Sequence, residues 1–174
     1  MIDEALLQSV AAAEGPLSPE QCAEKARLVA ASVDSAALDR AGVGDAMLLW
    51  RNESSEAWLN TWREPRDTGY HDHDGSCVGV HVLEGVASNE PLVIGGPPRS
   101  STYGAGESFS FPGSGIHRMD HEPGAVTIHV YSPPLRVIGH YDLVDGALQR
   151  RAFSPDEPTG PSGALNDAFS ERAS

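Results

Sequence analysis

His71-Asp72-His73-Asp74-Gly75-Ser76-Cys77-Val78-Gly79-Val80-His81-Val82-Leu83-Glu84-Gly85 is the stretch on which the reading of this 174-residue chain turns. Val78, Val80 and Val82 alternate with His81, the period of a strand whose valine face looks inward and whose histidine looks out. Residues i and i+2 share a face of an extended chain, so His71 and His73 are expected to point together into one cavity. Further on, Gly106 to Pro112 followed by Gly115-Ile116-His117 reads as a strand, a tight turn and a new strand that presents His117 across that cavity. Thr127, His129 and Tyr131 again lie at period two and would line up a hydroxyl, an imidazole and a phenol on one strand face. Neutral imidazoles from different strands of a rigid scaffold suit a metal whose other coordination positions stay open. His71, His73 and His117 are therefore the candidate metal ligands.

Outward from these segments, short apolar runs are broken by turn residues: Met47 to Trp50, Ala57 to Arg63, Val78 to Leu83, Leu92 to Ile94, Ser108 to Phe111, Ala125 to Tyr131 and Leu135 to Leu143. Many short strands at such spacing predict a mainly β fold, an antiparallel barrel or double-sheet jelly roll. Before them, Leu6, Leu7 and Val10, then Ala26, Val29, Ala30 and Val33, recur at helical spacing on either side of Gly15-Pro16-Leu17-Ser18-Pro19. Two short helices are expected there, the second capped by Ser18 with Pro19 in its first turn and Gln21 closing a capping box. Gly42 and Gly44 end this helical part. The expected organisation is one domain: a helical extension over 1–45 packed on the barrel, the barrel over 46–152, and a mobile or loosely docked tail over 153–174, rich in Pro, Gly, Ser and acids.

Twelve basic against 25 acidic residues give a net charge of −13, which argues against phosphate-backbone or anionic-membrane partners. No apolar stretch approaches the ~20 residues that span a bilayer. The start, Met1-Ile2-Asp3-Glu4, lacks a basic region followed by an apolar core, so no signal peptide is expected. Cys22 in a helical segment and Cys77 beside the histidines do not make a disulfide framework, and the cytoplasm is the expected compartment.

The two histidine segments resemble the paired motifs of the cupin superfamily over roughly Met47 to Leu143. In the first motif, HxH is followed by a spaced Glu and then Gly. His71, His73 and Gly85 fit, while the Glu position falls on Val78. The resemblance thus implies an all-histidine site in place of the three-His-one-Glu set. Within the cupins the chain is most similar to thiol dioxygenases of the cysteine dioxygenase type, through His71-Asp72-His73-Asp74-Gly75-Ser76, Gly115-Ile116-His117-Arg118 and Thr127-Ile128-His129-Val130-Tyr131-Ser132-Pro133-Pro134. That resemblance implies Fe(II) on His71, His73 and His117. It also implies His129 and Tyr131 as catalytic groups beside the metal, and conversion of a small thiol, L-cysteine first, with O2 to a sulfinate. The partners are a small-molecule thiol and O2, with no nucleic acid or membrane.

Arg51, in Leu49-Trp50-Arg51-Asn52, resembles the family's Tyr-x-Arg-Asn segment, which implies that its guanidinium grips the substrate carboxylate, a planar anion that suits it. Arg63 and Arg66 are the competing cations. Animal members of the family link a cysteine to the tyrosine; here Val78 stands in that cysteine's place with Cys77 on the other face, and no crosslink to Tyr131 is expected. His81, His121, in a polar turn, and His140 are not expected among the ligands. Trp50, Trp58 and Trp62 are expected as core or pocket walls, the last two on one face of a strand. Two alternatives stand beside this reading: the same chemistry on 3-mercaptopropionate, cysteamine or ergothioneine, and a metal-binding cupin without oxygenase activity, serving as a sensor or ligand module. A zinc or nickel isomerase or hydrolase is a third.

Overall fold

A computed structural model describes residues 3–12, 15–33, 46–145 and 147–153. Helix α1 (Glu4–Ala11) starts at Asp3, whose side chain accepts from the backbone N–H groups of Ala5 and Leu6. Helix α2 (Pro19–Ala30) starts at the capping box expected from the sequence: Gln21 N donates to Ser18 Oγ, and Ser18 N donates to Gln21 Oε1. Twelve strands follow among the described residues: β1 (Ala46–Arg51), β2 (Glu56–Trp62), β3 (Arg66–Asp67), β4 (His71–Asp72), β5 (Cys77–Glu84), β6 (Val86–Pro91), β7 (Ser101–Gly104), β8 (Ser108–Phe111), β9 (His117–His121), β10 (Ala125–Ser132), β11 (Ile138–Val144) and β12 (Ala147–Phe153). They form two antiparallel sheets, one ordered β1-β2-β10-β5-β8 and the other β12-β11-β4-β9-β6-β7 with β3 beside β9. This is the double-sheet β architecture expected.

The first sheet has a different partner on each face, as period two requires. Ala57, Leu59, Ile128 and Val130 face α2 and pack with its Cys22, Ala26 and Val29. The helix lies so close that a Cβ built at Gly79 would fall 1.9 Å from Ala23 N, so only glycine fits at that crossing. The other face closes over the second sheet, where Trp58, Val78, Val80 and Val82 meet Ala87, Met119 and Ile138. No helix among the described residues is long and apolar enough to cross a membrane.

Four expectations are corrected. Leu92 to Ile94 is not a strand: the strand is β6, just upstream, and Ile94 lies 90% exposed in the turn at Gly95. The apolar run was misleading because Ser88-Asn89-Glu90, the paired segment, carries polar side chains that are used elsewhere in the fold. His121 is not in a polar turn; it ends β9, buried, with its ring stacked on Trp62 at 3.7 Å between centroids. The expected strand from Leu135 starts only at Ile138, after the prolines at 133 and 134. Phe153, expected as the start of the tail, pairs with Ile138 as the last residue of β12. Residues 154–174, Gly42 and Gly44 lie outside the described residues.

Candidate metal centre

Three elements bring the histidines together. His71 is in β4, His73 follows two residues later, and His117 opens β9 directly opposite His71 in the ladder. Asp72, between the first two, points the other way: its carboxylate accepts from Tyr141 Oη at 2.6 Å and Arg150 Nε at 2.7 Å. That clamp fixes the alternation that turns both flanking imidazoles inward. One nitrogen from each of His71, His73 and His117 lies within 4.8 Å of the others, and all three residues are buried.

Their tautomers follow from their neighbours. His71 Nδ1 donates to the Gly69 carbonyl at 3.0 Å, and His117 Nδ1 donates to Asn89 Oδ1 at 2.6 Å. Each therefore keeps its lone pair on Nε2, and Nε2 of His117 is buried without a hydrogen-bond partner among the described residues. An acceptor nitrogen left bare in the interior is costly unless something electrophilic meets it. Burial pushes the pKa values of His71, His73 and His117 below the usual range, the last two far below, and so holds these imidazoles neutral, the state in which they ligate. The donor set fits a divalent transition metal such as iron or zinc.

A small enclosed cavity surrounds the triad, walled by Trp62, Thr68, Val78, Met119, His129 and Tyr131. Val78 thus occupies the wall where the related motif has a carboxylate. Cys77 lies on the opposite face, among the residues under α2. On β10 the expected row is continuous: Trp62 Nε1 donates to Thr127 Oγ1 at 2.9 Å, Thr127 Oγ1 lies 2.9 Å from His129 Nε2, and His129 Nδ1 lies 3.0 Å from Tyr131 Oη. Burial, with His71 adding, draws His129 down to about 3. Burial, with Glu56 adding, pushes the Tyr131 phenol up. Tyr131 meets His73 edge to face at 5.1 Å, so the row ends against the triad.

Arg51 is not on the cavity wall. Its Nε lies 2.6 Å from Glu56 Oε2, and its guanidinium sits 6.0 Å over the Trp58 ring. Glu56 is fully buried and also accepts from Trp58 Nε1 at 3.0 Å. Register places Arg51 opposite Glu56 and Glu56 opposite Tyr131, a lateral row leading from the sheet edge to the cavity. Arg63 is exposed, and the side chain of Arg66 lies outside what the structure describes. Of the tryptophans, Trp62 lines the cavity, Trp58 belongs to the core between the sheets, and Trp50 packs toward the helices.

Sequence reasoning missed Asn89, Thr68, Met119, Glu56 and the position of His140. Asn89 orients His117 from β6, a strand hidden by its polar composition. His140 is buried opposite His71 in the ladder, their rings 6.0 Å apart, and is not in the converging group. No local signal marks such residues, because each is defined by a strand partner distant in sequence.

A family model described as cysteine dioxygenase type I matches residues 30–144. A search of curated proteins finds no match. Solved structures similar to this chain include KdgF from Halomonas sp., 19% identical, covering 51% of this chain and 76% of that one with a TM-score of 0.43. A cupin superfamily protein from Desulfitobacterium hafniense is 13% identical, covering 50% and 73%, TM-score 0.41. An RmlC-like cupin from Desulfovibrio desulfuricans is 19% identical, covering 52% and 82%, TM-score 0.41.

Proposed function

The chain belongs to the cysteine dioxygenase type I family, and on that premise we propose that it is an Fe(II)-dependent thiol dioxygenase that adds both atoms of O2 to the sulfur of a small thiol, L-cysteine first, giving a sulfinic acid. The observation that carries this reading is the convergence of three buried, neutral histidines with Val78 where a carboxylate would stand. His71, His73 and His117 would hold the iron. With neutral ligands only, bound Fe(II) keeps its full double charge, which favours a thiolate over a thiol and supplies the oxygen chemistry.

The chain's own groups set the surroundings. Since Trp62 already donates to Thr127 Oγ1, the Thr127 hydroxyl hydrogen can go to His129 Nε2. His129 then carries its proton on Nδ1 and donates to Tyr131 Oη, which keeps its phenolic hydrogen for the cavity. Burial holds both groups in those states through the neutral range, so Tyr131 acts as a fixed hydrogen-bond donor to oxygen or substrate and His129 as its orienter. Trp62, Val78 and Met119 exclude water and restrict the substrate to a small thiol. A cytoplasmic setting accords with the free thiols of Cys22 and Cys77.

The Arg51–Glu56 pair favours a second reading of the substrate. A guanidinium 2.6 Å from a buried carboxylate has much of its field cancelled and attracts a substrate carboxylate less. A thiol without a carboxylate, such as cysteamine, needs no such cation. Anaerobic loading with Fe(II), followed by oxygen uptake and sulfinate analysis with L-cysteine, 3-mercaptopropionate and cysteamine, tests both readings. Stoichiometric iron with no oxygen uptake on any thiol would sink the dioxygenase assignment. If Arg51 grips the carboxylate, Arg51→Ala abolishes L-cysteine turnover and spares cysteamine; unchanged L-cysteine kinetics remove Arg51 from substrate binding.

A further inference from the structure

Cys22 and Cys77 lie 55 positions apart in sequence, and their sulfurs are 3.7 Å apart. Cys22 is on the face of α2 that meets the sheet, and Cys77 is the first residue of β5. The contact is built by the fold. Gly79, two residues along β5 on the same face, lets the backbone of α2 come within 1.9 Å of where its Cβ would be. The chain leading into α2 is pinned on both sides of the sulfurs: Leu17 N donates to Ser132 Oγ at 2.9 Å, and Cys77 Sγ donates to the Leu17 carbonyl at 3.4 Å. Ser132 is in turn the strand partner of Cys77.

We propose that Cys22 and Cys77 are a modification site: a reversible disulfide, formed by hydrogen peroxide, that latches helix α2 to the strand whose next residue, Val78, walls the cavity. Closing a bond of about 2.05 Å requires the sulfurs to approach by roughly 1.7 Å, within the reach of side-chain rotation if the backbones stay in register. Cys77 is the attacking sulfur. It is 7% exposed whereas Cys22 is fully buried, and hydrogen bonding from Cys22, opposed by burial, draws its thiol down to about 7. The Cys77 thiolate attacks one peroxide oxygen and the O–O bond breaks; the departing oxygen leaves as water, and Cys77 becomes a sulfenic acid. Cys22 then gives up its proton and displaces the sulfenic oxygen as a second water, forming the S–S bond. Two thiols lose two electrons and two protons, and the peroxide takes up both. The low exposure of both sulfurs confines the oxidant to something the size of hydrogen peroxide.

The test exposes the whole folded chain to hydrogen peroxide, quenches it with an alkylating agent in denaturant, and measures intact mass and a peptide map. The expected product is two hydrogens lighter, carries no alkyl group on either cysteine, yields a Cys22–Cys77 linked peptide and regains both thiols with dithiothreitol. Closing this loop raises the melting temperature of the oxidised form by on the order of 10 °C over the reduced form, and Cys22→Ser abolishes the rise. Dithiothreitol also separates this bond from a thioether to Tyr131, which has the same mass and is not reduced. Quantitative alkylation of both cysteines after peroxide, oxygen added to Cys77 without a crosslink, or a mass loss that survives dithiothreitol would each overturn the proposal. The wild-type mass decides the matter even if the variant fails to fold.

Discussion

Strands β2, β5 and β10 carry different chemistry on their two faces. Toward α2 they present Ala57, Leu59, Ile128 and Val130, all fully buried, and Gly79, where helix and sheet backbones nearly touch. Toward the second sheet the same strands present Trp62, Val78, Thr127, His129 and Tyr131, side chains linked by hydrogen bonds to each other or set against the histidine triad. Neighbours in sequence such as Ile128 and His129 thus belong to different problems, one of packing and one of reactivity. A one-residue slip of β10 would exchange the faces, so the outer face fixes the register that the inner face needs.

The contrast breaks most severely at the inner face. His117→Ala removes one of three donors, and activity is expected to fall on the order of a thousandfold, the rate equivalent of several kcal/mol of metal-dependent stabilisation, with bound metal per chain falling in parallel. Metal analysis beside turnover checks this, and a variant that keeps full metal and rate would remove His117 from the ligands. At the outer face, Ile128→Ala leaves a cavity and is expected to lower stability by about 2–5 kcal/mol in denaturant unfolding, while turnover per bound metal stays unchanged. Were that variant instead to lose specific activity at full folding, the two faces would not be separable.

Smaller effects sharpen the comparison. Asn89 is not one of the three converging side chains but holds the tautomer of His117. Asn89→Ala is expected to weaken metal affinity by about 10–100-fold with little loss of stability, read by competition with a chelator. Acid should act on the inner face through its buried histidines. His129 titrates near 3 when folded against 6.5 unfolded, and the three triad histidines are shifted in the same direction. Above pH 6.5 both states are unprotonated and nothing is gained. Below it the unfolded chain binds protons that the folded chain refuses, so stability falls toward pH 3 by up to about 1.4 kcal/mol per pH unit for each such histidine. Urea midpoints of chelator-treated protein between pH 7 and 4.5 measure this, and a flat profile would contradict the buried neutral state.

What was legible in the sequence was periodic. Alternation revealed β2, β5 and β10; the Ser18–Gln21 box marked α2; and HxH with a spaced third histidine marked the triad. Strand β6 and the far end of β9 were obscured because Asn89, Glu90 and His121 are polar residues buried for their partners, and a polar run reads as a loop until the partner strand is known. Arg51 could be placed beside a substrate by its neighbours in sequence, whereas the structure gives it to Glu56, five residues away across a tight turn.

By itself the sequence determined which residues could ligate, which faces were apolar and where the strands of the first sheet turn, because those properties depend on residue type and on spacings of two to four positions. Only the tertiary structure decided that His71, His73 and His117 converge, that Val78 closes the fourth side, that Glu56 holds Arg51 and that Cys22 meets Cys77. Each of these joins segments brought together by sheet order and helix packing, and pairings across such distances leave no periodic trace in the chain.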